Sequence, residues 1–220
     1  MTQFRTFLFD LDGTLIDHFR AIHRSYAHTL PRLGLPEPTP QQVRDAVGGG
    51  LENALLKFVP PGRLGEALAV YREYWNRTML DDVEAMPGAV ALLRGLRERG
   101  ASLGVLTNKV GTSSRLICDR LGFSPYLAAT VGAGDTPWLK PRRELSLHVV
   151  ALLGGSPSSS LLVGDSPFDV EAAHNGGFPC WAVTTGTHTA RELGEAGADG
   201  IFPSLQAMGE RLDLAGDQRS

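Results

Sequence analysis

Helix-like and strand-like segments alternate from Pro87 onward, and few folds accept that order. PGAVALLRGLRERG (87–100) reads as a helix, with Pro87 at its start, Gly100 as its stop and Val90, Leu93 and Leu96 at helical spacing. ASLGVLT (101–107) reads as a strand, SSRLICDRLG as a helix closed by Gly122, AATVGA as a short strand, and RELSLHVVALLG as a helix ending at Gly154. LLVGD is strand-like, PFDVEAAHNGG helical, CWAVTT strand-like again, and GIF with SLQAMGERL gives a last strand and helix. Such alternation predicts an α/β protein with a doubly wound, mostly parallel sheet and helices on both faces.

The first strand stands far upstream, in FLFDLDGTLID (7–17), where Phe7, Leu8 and Phe9 suit a strand buried on both sides and Gly13 and Thr14 suit a turn. A normal crossover holds one helix, which residues 87–100 already supply, so roughly 65 residues (about 18–83) are surplus. They carry helical patterns of their own: Phe19, Ile22, Tyr26 and Leu30, then Leu51, Leu55 and Phe58, then Leu64, Leu68, Tyr71 and Trp75. PEPTP (36–40) reads as a loop between them. The expected layout is a core of 1–17 and 84–213, a helical insertion of 18–83 hinged near 16–18 and 82–87, and a flexible tail of 214–220.

Composition narrows the partners. The net charge of −3 argues against nucleic acid, and Cys118 and Cys180 make no disulfide framework. No basic-then-apolar leader opens the sequence and no apolar run of about 18 residues could span a bilayer, so a cytoplasmic protein with no membrane partner, monomer or homodimer, is expected.

Ligands of doubly wound sheets bind beyond the carboxyl ends of the strands. The first strand there ends in Asp10 and Asp12, the second in Thr107 and Asn108, and the fourth in Gly164, Asp165 and Ser166, with Asp169 one helical turn on. The segment after the third reaches Lys140, before Pro141. Asp10 and Asp12 share a strand face, and two such charges about 4 Å apart repel by about 4 kcal/mol at an effective dielectric near 20. Taken singly, Asp10 and Asp165 are explained by a cap or a turn, Thr107 and Asn108 by a local turn, and Lys140 by a solvated basic run with Arg142 and Arg143. Together, acids, a lysine, a hydroxyl and an amide suit a phosphoryl group beside a hard divalent cation.

DLDGTL (10–15), LTNK (106–109), LKP (139–141) and GDSPFDVEAA (164–173) resemble, in order, the four signature motifs of the haloacid dehalogenase superfamily. The resemblance spans about residues 5–205 and is nearest to phosphoglycolate phosphatase-like members. It implies a Rossmann-like core with an inserted all-helical cap, and a phosphatase that uses Mg2+ and an aspartyl-phosphate on a small phosphorylated metabolite, phosphoglycolate-like or a sugar phosphate. Asp10 would be the nucleophile, Asp12 the acid and base, and Lys140 the neutralising cation. Gly13, Thr107, Asn108 and Lys140 would bind phosphate. Asp10, Asp165 and the Asp12 carbonyl would hold magnesium, with Asp169 and Ser166 behind them, and Leu11 would point into the core. The alternatives are a β-phosphoglucomutase-like sugar phosphomutase and a non-catalytic binding protein.

Arg143 stands where the family often has proline, and His148 where a small apolar residue is expected, so His148 reads as a packed or partly exposed helical residue. His188, in TTGTHTA, reads as a loop residue near the site rim. VGGG (47–50) lacks the lysine and hydroxyl of a P-loop, and VGAGD (131–135) completes no dinucleotide fingerprint. Gly48, Gly49 and Gly50 are instead expected in a cap loop that closes over the substrate, with backbone amides available to a carboxylate.

Overall fold

The computed structural model describes residues 4–212, so residue 213 and the expected tail lie outside the described residues. The core strands are β1 (Thr6–Phe9), β4 (Ser102–Val110), β5 (Ala129–Ala133), β6 (Ser160–Gly164), β7 (Cys180–Val183) and β8 (Gly200–Phe202). They form a parallel six-stranded sheet in the order β5-β4-β1-β6-β7-β8, with β1 near its middle. Phe7, Leu8 and Phe9 are fully buried, and alternation sends them to opposite layers. Phe7 and Phe9 pack with Leu93 and Leu96 of α5 (Ala89–Glu98), Ile117 of α6 (Gly111–Arg120) and Met208 of α10 (Leu205–Arg211). Leu8 packs with Val149 of α7 (Arg143–Leu152) and Val170 and Ala173 of α8 (Pro167–Gly176). Both cysteines are buried and free.

Three boundaries differ from the sequence reading. The strand expected at 101–107 continues to Val110, with an irregular register against β5 after Leu106, and so carries Thr107, Asn108 and Lys109 out past the sheet edge. The helix expected from Pro87 begins at Ala89, because Gly88 turns through φ 84° where the backbone of Gln206 leaves no room for a side chain. A short helix, α9 (Ala190–Glu195), escaped notice although Thr189 and Glu192 form its capping box.

The insertion holds α1 (Phe19–Arg32), α2 (Pro40–Arg44), α3 (Leu51–Leu55) and α4 (Leu64–Thr78). Ile22, Tyr26, Leu30, Leu55, Tyr71 and Trp75 bury themselves in a cluster separate from the sheet's two layers. The PEPTP loop ends in a cap, since Thr39 accepts from the Gln42 amide and Pro40 opens α2. Where the chain crosses between core and cap, β2 (Ile16–Asp17) pairs antiparallel with β3 (Glu84–Ala85). Two-residue strands are too short to show a period, so this pairing was invisible in the sequence. Among the described residues, no helix is long and apolar enough to cross a membrane.

Candidate active site

Asp10 follows β1 directly, and its amide donates to Val163 O at 2.9 Å, prolonging the sheet by one bond. Leu11 is fully buried in the core, and its carbonyl receives the amides of Thr14, Leu15 and Ile16. This turn puts the acids before and after Leu11 outside the core. Lys140 Nζ lies 2.8 Å from Asp10 Oδ1 and 2.6 Å from Asp169 Oδ1. Asp169 Oδ2 accepts from Ser166 Oγ at 2.6 Å, Ser166 N at 3.0 Å and Asp165 N at 3.2 Å. Asp169 is thus occupied in fixing Lys140 and the start of α8. Asp165 accepts from Thr14 Oγ1 at 3.2 Å and from the Thr187 amide at 3.3 Å.

One oxygen each from Asp10, Asp165 and Asp169 lies within 4.8 Å of the others. Burial pushes the Asp10 carboxyl up to about 6; nearby Lys140 opposes this and Asp169 adds to it. Burial, Asp169 and Asp10 together raise Asp165 well above the usual carboxylate range. Burial would pull the Lys140 ammonium down, but Asp10 and Asp169 outweigh it and hold the pKa above its usual value. A single ammonium against this buried acidic group leaves excess negative charge among hard oxygen donors. That is the chemistry Mg2+ requires, and Asp10 and Asp165 fit it.

The Asp12 side chain is held away from that cluster. Lys109 Nζ meets its oxygens at 3.0 and 2.9 Å, and His18 Nδ1 stands 3.7 Å from Oδ1. His18 Nε2 donates to Met79 O at 2.6 Å, which leaves Nδ1 with a bare lone pair. Burial and the charge on Lys109 pull this imidazole down to about 4. Asn108, expected on phosphate, uses its side chain otherwise: Oδ1 accepts from Lys140 N at 2.7 Å, while Nδ2 donates to Lys140 O at 3.1 Å and to Gly48 O at 2.9 Å. Thr107 Oγ1 accepts from the Lys109 amide at 3.2 Å.

Residues 7–183 match the haloacid dehalogenase-like hydrolase family. The chain belongs to that family. The hydrolase is 34% identical over 173 residues to the phosphoglycolate phosphatase of Aquifex aeolicus, covering 79% of this chain and 81% of the relative. It is 32% identical over 207 residues to the phosphoglycolate phosphatase of Caulobacter vibrioides, covering 91% and 87%. Its fold is shared with a haloacid dehalogenase-like family hydrolase from Streptococcus pneumoniae, with TM-score 0.88, 23% identity and coverage of 96% and 100%. This is an enzyme, a hydrolase of the phosphatase type.

In this hydrolase Asp10, Asp12, Thr107, Asn108, Asp165 and Ser166 line one cavity of about 250 Å3 between core and cap. Gly48 and Gly50 line it as well, whereas Gly49 packs near Phe168. Gly13, at φ 79°, is forced by both conformation and space, because a Cβ there would meet Asp165 Oδ2 at 2.7 Å. His148 is exposed on α7, with its ring 6.3 Å from that of Trp138, and His188 is half-buried beside Thr187. Sequence reasoning passed over His18, Lys109, Thr14, Gly186 and Thr187. Lys109 stood in the quoted TNK, Thr14 in DLDGTL and Gly186 and Thr187 in TTGTHTA, so their signal was present, whereas His18 carried none.

Proposed function

We propose that this hydrolase cleaves small phosphomonoesters in a magnesium-dependent reaction that passes through a phosphoryl group on Asp10. The supporting observation is the buried Asp10–Lys140–Asp169 chain with Asp165 alongside. The ion, held by Asp10, Asp165 and the Asp12 carbonyl, would supply charge neutralisation at the phosphoryl oxygens. A carboxylate oxygen of Asp10 attacks phosphorus as the bond to the alcohol oxygen breaks. Asp12 gives its proton to the departing alkoxide, then takes one from the water that attacks the aspartyl-phosphate. Lys140 stays protonated and offsets the charge on Asp10 and the transferring group. Asp169 and Asn108 keep it in place, one by its ammonium and the other by its backbone. Gly13, Thr107 and the backbone of Asn108 form the phosphate's surroundings.

The test is a panel of phosphoglycolate, sugar phosphates, nucleoside monophosphates and pyrophosphate with magnesium, reading free phosphate and isomerised sugar phosphate separately. Free phosphate, with acid-quenched enzyme phosphorylated on the Asp10 peptide, is the expected result. Isomerised sugar phosphate without free phosphate would make the protein a mutase. A product formed with no label on Asp10 would refute the mechanism.

A further inference from the structure

The cavity changes character with depth. Its floor is polar and buried, with Asp10, Thr107, Asn108 and Asp165 at most 9% exposed. Ile22, Tyr71 and Trp75 of the cap are buried beside that floor and offer mainly apolar surface. The outermost lining is polar again. Arg72 and Asn76 stand one turn apart on α4, Thr112 opens α6, and all three are exposed. Among the described residues, neither the Asn76 amide nor the Thr112 hydroxyl has a protein hydrogen-bond partner. Two cations line the cavity, Lys109 and Arg72. Lys109 is committed to both oxygens of Asp12, at 3.0 and 2.9 Å. Arg72 is not so held: its ion pair with Glu52 is 3.5 Å long, between side chains that are both more than half exposed. A pair of that kind contributes little and exchanges readily for another anion. A guanidinium also presents a planar fork of donors that matches a carboxylate.

We infer that Arg72, with Asn76 and Thr112 beside it, determines specificity at the far end of the substrate, and that the site prefers phosphate monoesters whose alcohol carries a distal carboxylate. This rests on the phosphatase reading and narrows it. The phosphoryl group lies on the floor, the carbon chain runs past Ile22, Tyr71 and Trp75, and the carboxylate meets Arg72 at the mouth. The floor's own carboxylates repel a further anion, so without Arg72 a carboxylate tail is a handicap.

Two pairs of esters test it on the magnesium-loaded protein, each pair an acid and the alcohol of the same chain: 2-phosphoglycolate with 2-hydroxyethyl phosphate, and 4-phosphooxybutanoate with 4-hydroxybutyl phosphate. The readout is the acid-to-alcohol ratio of kcat/KM, from released phosphate. In wild type the long pair should give a ratio of about fivefold, the upper end for an exposed ion pair, and the short pair a smaller one because its carboxylate stops below the mouth. Arg72→Gln should bring the long-pair ratio to about one or below, and added salt should shrink it. Glu52→Gln, which releases the guanidinium, should raise it. A merely structural effect of either substitution would move acid and alcohol together and leave the ratio alone. A long-pair ratio of one or less in wild type, one no larger than the short pair's, or one that Arg72→Gln leaves unchanged overturns the inference, while released phosphate keeps the phosphatase reading intact. If no ester is cleaved, the phosphatase reading fails, and calorimetry with 5-phosphonopentanoate and 5-hydroxypentylphosphonate decides the inference by binding alone. Tighter binding of the acid that Arg72→Gln abolishes supports it. Equal or weaker binding of the acid, or a preference that survives the substitution, overturns it.

Discussion

Gly186→Ala tests the placement of Asp165 through the packing of the loop behind it. Gly186 lies outside the left-handed region, so alanine meets no backbone penalty there. Its new methyl would stand 1.7 Å from Asp165 Oδ2, 2.3 Å from Cγ and 2.7 Å from Cβ. Carbon and oxygen tolerate little under 3.0 Å, so the carboxylate must withdraw by more than about 1 Å or the loop must move by as much. Either motion breaks the bond from the Thr187 amide to Asp165. Magnesium accepts oxygens only near 2.0–2.1 Å, and displaced supports of metal ligands typically weaken affinity by about 10- to 100-fold. A misplacement near 1 Å lowers turnover by about 100-fold. Magnesium affinity by calorimetry, phosphate release and urea unfolding would be measured together, with Gly65→Ala as a control. Gly65 has nothing within 4 Å of its added methyl. Wild-type metal affinity and turnover in Gly186→Ala would refute both the role given to Asp165 and the reasoning from packing.

Asp10→Asn should leave the protein folded and reduce phosphate release by several powers of ten; retained metal-dependent turnover would count against Asp10 as nucleophile. Asp12→Asn should lose about 10²- to 10⁴-fold in kcat, and normal turnover would reassign the acid. Lys140→Met strands the buried Asp10 and Asp169, so urea unfolding should show a loss of about 3–5 kcal/mol; a change under about 1 kcal/mol would contradict the pairing. The Asp10 carboxyl, at about 6 against an ordinary 3.8, binds its proton more tightly folded than unfolded. In metal-free protein its contribution to stability is therefore full below pH 3.8 and lost as pH rises through about 6. Magnesium competes for the same group, so its affinity should fall by up to about tenfold per pH unit below about 6. A flat affinity from pH 7 to 5 would exclude that competition.

Much of this was legible in the chain because strand ends were legible. Residues 10, 12, 107, 108, 140 and 165 were placed together by asking which polar side chains end the strands of a doubly wound sheet, and all of them except Lys140 line the cavity. Lys140 stands behind it, on Asp10 and Asp169. Alternation told the strands to run parallel, but not that β1 would lie between β4 and β6. What stayed hidden was whatever depends on loops meeting. Thr14 reaches Asp165 across 151 residues, and the Thr187 amide arrives from a separate loop. Asn108 reads as a phosphate ligand because a strand-end amide in that place invites it, but in the folded chain the loop at Lys140 and the carbonyl of Gly48 occupy its side chain.

The tethering of Asp12 has a mechanical consequence. On one side the carboxylate is fastened to Lys109, which the sheet carries. On the other it abuts His18, whose ring is anchored to Met79 at the far end of the cap's last helix. Both hydrogen bonds that hold Asp12 thus come from the sheet side, and the cap side presents it with a bare imidazole lone pair. The aspartate proposed as proton donor therefore keeps its seat on the sheet whatever angle the helical insertion takes, and only the face opposite it would change.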